Sequence, residues 1–254
     1  MRIQILVATM NLKDSSLVKK MNIKSDVIIG NQCDHNSVED FIEDNVHVKV
    51  LNFAERGVGL NRNNALMRAD GEICLFADDD MIYEDNYLEI VENAFNCNPQ
   101  ADVIVFNLRE NPITRKIIKK KENVGYFNYL RYGTARVAVR LSSVRSKGIY
   151  FNQCFGGGTE HCHGEDNLFL HACLREGLKV IAIPEYIATL TEERESSWNK
   201  GFNKKYIKDQ GVLFKTISRR WWKLLCFQDV FRRHKSYNLS IIEAYRLMIN
   251  DAKK

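Results

Sequence analysis

Three consecutive aspartates, Asp78, Asp79 and Asp80, directly follow an apolar run from Ile73 to Ala77. Neighbouring carboxylates raise each other's pKa values, so solvent, hydrogen-bond donors or a metal cation must offset their repulsion. Alternating carboxylates at the end of a strand can hold Mg²⁺, which is usually bound by one or two carboxylates together with substrate phosphates. The pattern is equally compatible with an acidic turn that caps the following helix.

A second acidic pair, Glu165 and Asp166, begins a predicted helix just after the glycine-rich residues 156–158. A carboxylate placed near a substrate hydroxyl can act as a general base. The simpler interpretation is an N-terminal cap, because acidic side chains are favoured at the positive end of a helix dipole.

A third pattern lies in residues 55–72, where two glycines lead into a helix that carries Arg62, Asn63 and Asn64. A helix N-terminus with an arginine nearby suits a phosphate or a nucleotide. An ordinary junction between a loop and a helix would give the same pattern.

A regular alternation of elements must position these residues. Apolar runs predict buried strands at 3–9, 26–30, 47–53, 72–77 and 101–106. The segments between them predict helices at 15–22, 37–45, 59–69 and 83–96. This order predicts an α/β fold with a mainly parallel sheet between helices, in which ligands bind at the carboxyl ends of the strands. The three aspartates stand at such an end.

The second half of the chain is less regular. Residues 135–141 alternate between apolar and polar positions and predict a strand with one solvated face, while 178–183 predict a strand that ends at Pro184. The run from Arg115 to Lys121 predicts a mobile, solvated basic loop rather than a phosphate clamp.

Composition narrows the class of protein. The 254 residues can bury a sizeable core, but no apolar stretch reaches the length of about 18 residues that a spanning helix needs. The N-terminal apolar run is too short for a signal peptide and predicts a buried first strand. Seven cysteines without a CxxC pair predict reduced thiols and a cytoplasmic location.

The net charge of +5 is concentrated near the C-terminus. Residues 200–235 contain eleven Lys/Arg and two Asp, a net charge of +9. Within them, 212–235 predicts an amphipathic basic helix with Trp221 and Trp222 among its aromatic residues. Such a helix suits the surface of an anionic membrane, on the inner face of the cell membrane, as well as docking onto the rest of the chain or burial in a homo-oligomer. No nucleic-acid-binding motif is present.

Taken together and in order, the motifs resemble the family 2 inverting glycosyltransferases of the bacterial polysaccharide or glycolipid type, which have the GT-A fold. The resemblance covers about residues 1–190. It rests on ATMN at the end of the first strand, DVIIGNQCD (26–34), GLNRNNALMRADGEICLFADDD (59–80) and GGGTEHCHGEDNLFL (156–170).

The resemblance implies a nucleotide-sugar donor, with UDP as the expected nucleotide, and either Mn²⁺ or Mg²⁺ as cofactor. Residues of the first two strand ends would contact the nucleoside, with Asn31 and Asp34 as alternatives for one of these roles. Asp78 would lie at the ribose or base, Asp80 would hold the metal, and the middle aspartate would point elsewhere on the donor side. The implied donor-binding residues are Thr9, Asn11, Asn31, Asp34, Arg62, Asp78 and Asp79.

The resemblance also implies that Asp166 is the catalytic base, with Glu165 supporting it, in a single displacement that inverts the anomeric centre. His161, Cys162 and His163 look like a metal cluster, but zinc needs four ligands and no second pair with suitable spacing is present. We therefore favour an acceptor-loop role for them, with His161 or His163 as a candidate additional ligand of the donor's metal.

The resemblance divides the chain into a donor half (1–107), an acceptor half of the same catalytic domain (108–195) and a helical C-terminal extension (196–254). The expected acceptor is a saccharide or a lipid-linked saccharide. Two other functions stay open from sequence: a nucleotidyltransferase acting on a sugar phosphate, and a non-catalytic nucleotide-binding scaffold. The first would favour a glycine- and lysine-rich segment after strand one, where this chain has MNLKDSSL.

Overall fold

The computed structural model describes residues 1–12, 16–113, 115–191 and 201–252. Its strands form one mixed sheet in the order β3-β4-β2-β1-β5-β9-β7-β10-β6, with β8 paired to β10. The strands are β1 (Ile3–Met10), β2 (Asp26–Gln32), β3 (Ser37–Glu43), β4 (Val46–Phe53), β5 (Ile73–Asp78), β6 (Met81–Tyr83), β7 (Val103–Arg109), β8 (Glu122–Val124), β9 (Val137–Arg140) and β10 (Val180–Leu190).

Helices cover both faces of this sheet, as the alternation predicted. The helices of the described residues are α1 (Ser16–Lys20), α2 (Val58–Arg68), α3 (Tyr87–Asn96), α4 (Leu141–Ser146), α5 (Glu165–Arg175), α6 (Lys204–Ile217), α7 (Trp222–Tyr237) and α8 (Ile241–Ala252). Successive side chains of a strand point to opposite faces. Ile5 and Val7 therefore join the core beneath α1 and α3, whereas Leu6 joins the core beneath α2 and α5.

The predicted parallel arrangement holds for half of the sheet. Strands β4, β2, β1 and β5 are parallel neighbours, so the ends of β1 and β5 meet at one edge, with Ala8 paired to Asp78. Beyond β5 the sheet is mixed, because β9 runs antiparallel to both β5 and β7. The α/β class with a central sheet between helices is confirmed.

The helix predicted at 37–45 is wrong, since this segment forms β3 at the sheet edge. β3 pairs antiparallel with β4 across a two-residue turn at Asp44 and Asn45, both of which have positive φ. Asp and Asn adopt this left-handed conformation more readily than most residues, and such turns connect hairpins. The acidic residues of this partly exposed edge strand interrupt the apolar pattern of a buried strand, so the sequence was interpreted as a helix.

The solvated face predicted for 135–141 is also wrong. β9 lies inside the sheet, and the two arginines of this segment bond to backbone carbonyl groups. Arg136, which directly precedes β9 and is 2% exposed, donates to the carbonyl oxygens of Lys116 and Arg131. Arg140, the half-buried last residue of β9, donates to that of Ala101. The polar positions of the alternating pattern are therefore arginines with backbone partners.

Pro184 does not end the strand that contains it. β10 continues to Leu190, and the pairing with β7 shifts register between Ala182 and Tyr186. Proline cannot donate to a ladder hydrogen bond and is tolerated where a strand is irregular. The strand therefore passes Pro184 through a bulge.

The C-terminal segment forms a helical extension, as predicted, but not one helix at 212–235. α6 ends at Ile217, and the hydroxyl of Ser218 accepts a hydrogen bond from the backbone N–H of Trp221 before α7 begins. α6, α7 and α8 share their own apolar core. The boundary predicted at residue 195 lies outside the described residues. Within those residues, no helix is long and apolar enough to cross a membrane.

Candidate active site

A groove of about 560 Å³ opens at the carboxyl ends of β1 and β5, where the sequence places its polar residues. Acidic and basic groups from distant segments of the chain converge on it. Its walls include the predicted residues Thr9, Arg62, Asp78, Asp79, Asp80, His163, Glu165 and Asp166.

Arg62 is the centre of the ionic network in this groove. Its side chain is 4% exposed. Its Nη2 lies 2.8 Å from Asp78 Oδ1, and its Nη1 lies 2.9 Å from Asp166 Oδ1 and 3.4 Å from Glu165 Oε1. These three carboxylates keep the buried guanidinium charged by raising its pKa against the opposing effect of burial. One arginine therefore joins the first aspartate to the acidic pair.

Burial distinguishes the two members of that pair. The side chain of Glu165 is 12% exposed and that of Asp166 is 29% exposed. Burial, reinforced by the charge of Asp166, raises the pKa of Glu165, while Arg62 opposes this shift. Asp166 is therefore the carboxylate that a substrate in the groove can reach, and Glu165 lies behind it.

Gly156 makes room for the carboxylate of Glu165. Its φ is +101°, and a Cβ atom built on it would lie 2.7 Å from Glu165 Cδ and 2.6 Å from Val58 Cγ1. The glycine-rich loop therefore places its backbone against the start of α5, where a larger residue would displace the acidic pair.

We expect Gly156→Ala to lower the free energy of unfolding by about 1–3 kcal/mol through crowding, in addition to backbone strain. Any catalysis that depends on α5 should fall with it. Gly148→Ala is the matched control, because Gly148 also has a positive φ (+60°) but no neighbour within 4 Å of a built Cβ. Chemical denaturation of both variants gives the difference, and equal losses would show that the Glu165 contact is unimportant.

The other two aspartates have different surroundings. Thr9 donates a hydrogen bond from its hydroxyl to Asp79 Oδ2 at 2.5 Å, so Asp79 is held against the end of β1. The backbone carbonyl oxygen of Asp80 accepts from Thr191 N at 2.8 Å. Burial raises the pKa of Asp80, and the charges of Asp78 and Asp79 add to this effect.

The carboxylates of Asp78, Asp79 and Asp80 suit a hard divalent cation. Mg²⁺ and Mn²⁺ prefer carboxylate oxygens as ligands. The acidic neighbours of Asp80 disfavour its charged form, so the carboxylate would gain stabilisation from a cation. The positive charge of Arg115 acts in the opposite direction and lowers the pKa of Asp80.

The histidine cluster, which consists of His161, Cys162 and His163, connects the 154–164 loop to α6. We call its contact with Asp209 the joint. Asp209 accepts from Cys162 N at 2.9 Å and lies 3.2 Å from His161 Nδ1. Cys162, His163 and Asp209 are close enough for their ligand atoms to share a cation. The ammonium of Lys205 is 2.9 Å from Asp209 Oδ2, however, and a positive charge there disfavours a metal ion.

His163 is the histidine that faces the groove. Its ring stacks on Tyr206 at 3.9 Å between centroids, and its Nε2 lies 2.7 Å from Gln210 Oε1. Burial lowers the pKa of His163 and so favours the neutral ring. His161 lies against Asp209 and outside the groove lining. Metal ligation by either histidine stays a prediction.

Three predicted donor-binding residues are not part of the described groove lining. Asn31 is 2% exposed and uses its side chain within the protein, accepting from Leu12 N and donating to Asn52 Oδ1. Asn11 is exposed with a positive φ at the end of β1. The side chain of Asp34 is 96% exposed and bonds to His35. Their roles toward a nucleoside stay predictions.

Some residues of the groove were not predicted from the sequence. Gln32 follows Asn31 directly, lines the groove and accepts from Gly57 N at 2.8 Å. Its position at a strand end was a usable signal. Tyr206 comes from α6, far along the chain, and no local pattern connects it with the acidic residues.

The segment from Arg115 to Lys121 also differs from the predicted mobile, solvated loop. Asn107 binds it by accepting from Ile118 N and donating to Ile118 O, both at 2.9 Å. Ile118 is 1% exposed, and Arg115 reaches the groove. The loop is therefore anchored to β7 and supplies a cation near the aspartates.

Comparison with known proteins agrees with this architecture. The fold matches S. aureus TarS 1-349 in complex with UDP-GlcNAc with a TM-score of 0.68 and 13% identity, over 98% of this chain and 90% of that one. TarS 1-349 in complex with UDP gives 0.64 at 16% identity, over 100% and 89% of the two chains. Longer S. aureus TarS gives 0.65 at 15% identity, over 100% of this chain and 55% of that one. These matches define a GT-A glycosyltransferase fold.

The family model described as glycosyl transferase family 2 matches residues 15–154, more than half of the chain. The protein belongs to glycosyl transferase family 2. No curated protein matches the sequence.

Proposed function

We propose that the protein transfers a sugar from a UDP-linked donor to a hydroxyl of a saccharide or lipid-linked acceptor, with inversion at the anomeric carbon. The observation that carries the proposal is the link through Arg62. It joins Asp78, which ends a central strand, to Glu165 and Asp166, which begin α5, across one groove. Donor and acceptor would meet between these groups.

The donor would lie along the ends of β1, β2 and β5. Thr9 and Asp79 are hydrogen-bonded at this edge, and Asp78 stands beside them. UDP as the nucleotide is supported by the structural neighbours, since S. aureus TarS is described in complex with UDP and with UDP-GlcNAc. The identity of the transferred sugar would be set by side chains of this protein, since the structural neighbours share only 13% and 16% of its sequence.

A divalent cation, Mn²⁺ or Mg²⁺, would be held by Asp80, with Asp78 nearby. When bound, it would neutralise negative charge on the departing diphosphate. Arg115, whose side chain also reaches the groove, would add positive charge on the same side.

Asp166 would accept the proton from the acceptor hydroxyl, because it is the more exposed member of the acidic pair. The freed oxygen would attack the anomeric carbon from the face opposite the diphosphate, and the bond to the diphosphate would break in the same step. Arg62 would hold Asp166 in place, and Glu165 would support Arg62 from behind. Positioning of this kind supplies much of the acceleration in displacement reactions.

Metal and nucleotide should stabilise the protein together. We expect UDP with Mn²⁺, at a hundredfold excess over Kd, to add about 2.7 kcal/mol to the free energy of unfolding. That corresponds to roughly 5–10 °C in Tm. Asp80→Ala should lose the increment that Mn²⁺ adds. Asp85→Asn, which changes an aspartate outside the groove lining, should keep it. If neither UDP nor nucleotide sugars raise Tm with metal present, the proposal is wrong.

Turnover gives the direct test. Incubating the protein with a panel of nucleotide sugars and Mn²⁺, and scoring release of UDP, distinguishes glycosyl transfer from a scaffold function, which releases nothing. A nucleotidyltransferase would instead release pyrophosphate from a nucleoside triphosphate.

The seven cysteines are unpaired, which supports a reducing compartment such as the cytoplasm as the place of action.

A further inference from the structure

The helix α7 has two apolar faces, and only one of them is covered. Its inner face packs into the core of the C-terminal helices through Trp222, Cys226 and Val230. On its outer face, four large side chains are about half exposed or more: Trp221 (55%), Leu224 (58%), Phe227 (48%) and Phe231 (63%). Their spacing of three or four residues puts them on one stripe.

The exposed apolar surface of α7 continues onto α8. The ring of Phe227 contacts that of Tyr245 edge-on at 6.0 Å between centroids, and Ile242, one turn earlier on α8, is 62% exposed. Contiguous exposed apolar side chains of this kind mark interaction surfaces, whereas single ones do not. We call Trp221, Leu224, Phe227, Phe231 and Ile242 the outer stripe.

The exposed charges of α7 have one sign, while on α8 the exposed Glu243 follows Ile242. Lys223, Arg232 and Lys235 are exposed on α7, and Arg220 lies against the Trp221 ring at 5.1 Å. None of the exposed residues of α7 is acidic. Its one acid, Asp229, is 10% exposed and is paired with Arg233 and with the hydroxyl of Tyr237.

The positive charge extends beyond α7. Residues 201–252 contain eleven Lys/Arg and four Asp/Glu, a net charge of +7. A groove of about 880 Å³ beside α6 is lined by Lys204, Lys208, Lys215 and Arg219, the last of which lies in the link between α6 and α7. Two copies of this surface would repel each other, so charge disfavours self-association through it.

We propose that the outer stripe docks on an anionic bilayer, with α7 lying in the plane of the interface. The apolar side chains would enter the boundary between headgroups and acyl chains, and the lysines and arginines would contact lipid phosphates. A tryptophan suits such a boundary because its ring is apolar and its indole N–H is polar. This docking does not depend on the identity of the sugar or on catalysis.

The test is sedimentation of the full-length chain with vesicles of two compositions. Phosphatidylcholine alone supplies no net charge, and equal parts of phosphatidylcholine and phosphatidylglycerol supply an anionic surface. We expect binding to the anionic vesicles to be at least roughly tenfold tighter, and to weaken as salt is raised. Equal binding to both compositions would contradict the proposal.

Leu224→Ser/Phe231→Ser should weaken binding to anionic vesicles by roughly tenfold or more, since it removes two inserted side chains. Both residues are exposed, so the fold should be unaffected. Val38→Ser/Ile42→Ser is the matched control, because it removes two exposed apolar side chains from β3 (56% and 75% exposed) and should bind like the unmodified chain. Equal weakening by both pairs would overturn the assignment.

Light scattering distinguishes the competing occupant, a second copy of the chain. If the unmodified protein is a dimer and Leu224→Ser/Phe231→Ser makes it a monomer without changing vesicle binding, the outer stripe is an interface between copies and the proposal is wrong. A mass unaffected by the substitutions, with vesicle binding lost, supports the membrane.

Discussion

Asp166→Asn should lower kcat by roughly a thousandfold, within the range by which positioned general bases accelerate reactions. The amide keeps the size of the carboxylate but cannot accept the acceptor's proton. Because Asp166 lies on α5 and away from the proposed nucleotide edge, the affinity for UDP with Mn²⁺ should change little. Steady-state kinetics with titration calorimetry for UDP separates the two effects.

The matched control is Asn167→Asp, which changes the charge of the next groove-lining residue and leaves Asp166 intact. It should retain most of the turnover. Full activity of Asp166→Asn would remove Asp166 from its proposed role. A large loss of UDP affinity in the same variant would instead show that Asp166 belongs to the donor site.

Arg62→Gln should have the largest effect on stability. Removing the guanidinium leaves Asp78, Glu165 and Asp166 close together without their shared cation. Breaking a buried ion pair by removing one partner costs about 3–5 kcal/mol. Donor binding and turnover should fall as well, because the two sides of the groove lose their link. Denaturant unfolding and thermal shift with UDP measure these losses.

The effect of Arg62→Gln should depend on pH, and the sign follows from Glu165. Its pKa is already raised by burial in the folded protein, so folding favours its protonated form. The stability linked to this proton is present below the unfolded pKa and is lost as pH rises through the folded pKa. Without Arg62 the charged form is less stable still, so the variant should be most destabilised at high pH and recover partly at low pH.

Arg68→Gln is the control on the same helix. Arg68 is exposed and packs its guanidinium near the ring of Phe53. Its loss should change the free energy of unfolding by no more than about 0.5 kcal/mol, with little dependence on pH. A small, pH-independent effect of Arg62→Gln would show that the three carboxylates do not depend on their arginine.

The ends of the central parallel strands were predictable because their signals are local. An apolar run followed by polar residues defines a strand end, and parallel strands bring such ends together, as Thr9 and Asp78 show. The acidic pair at Glu165 was equally visible, because it stands at the start of a helix after glycines. Each of these predictions needed only a short window of sequence.

The remaining features depend on tertiary partners that a short window does not contain. Arg136 looks like a solvent-facing residue until the carbonyl groups of Lys116 and Arg131 are placed beside it. The structure surrounds the guanidinium of Arg62 with carboxylates from two distant segments, and its predicted contact with a nucleoside stays a prediction. Tyr206 reaches the groove, and Gln210 reaches His163, only because α6 docks beside it.

The joint at Asp209 couples two segments of sequence that lie 47 positions apart, since its carboxylate accepts from Cys162 N. A second contact lies next to it, where a Cβ atom on Gly164 would meet Leu213 Cδ1 at 2.9 Å. We therefore expect the effects of substitutions in the loop and in α6 not to be additive. A chimera that exchanges the C-terminal helices should fold better when the 154–164 loop is exchanged with them, because the two fit together as one unit.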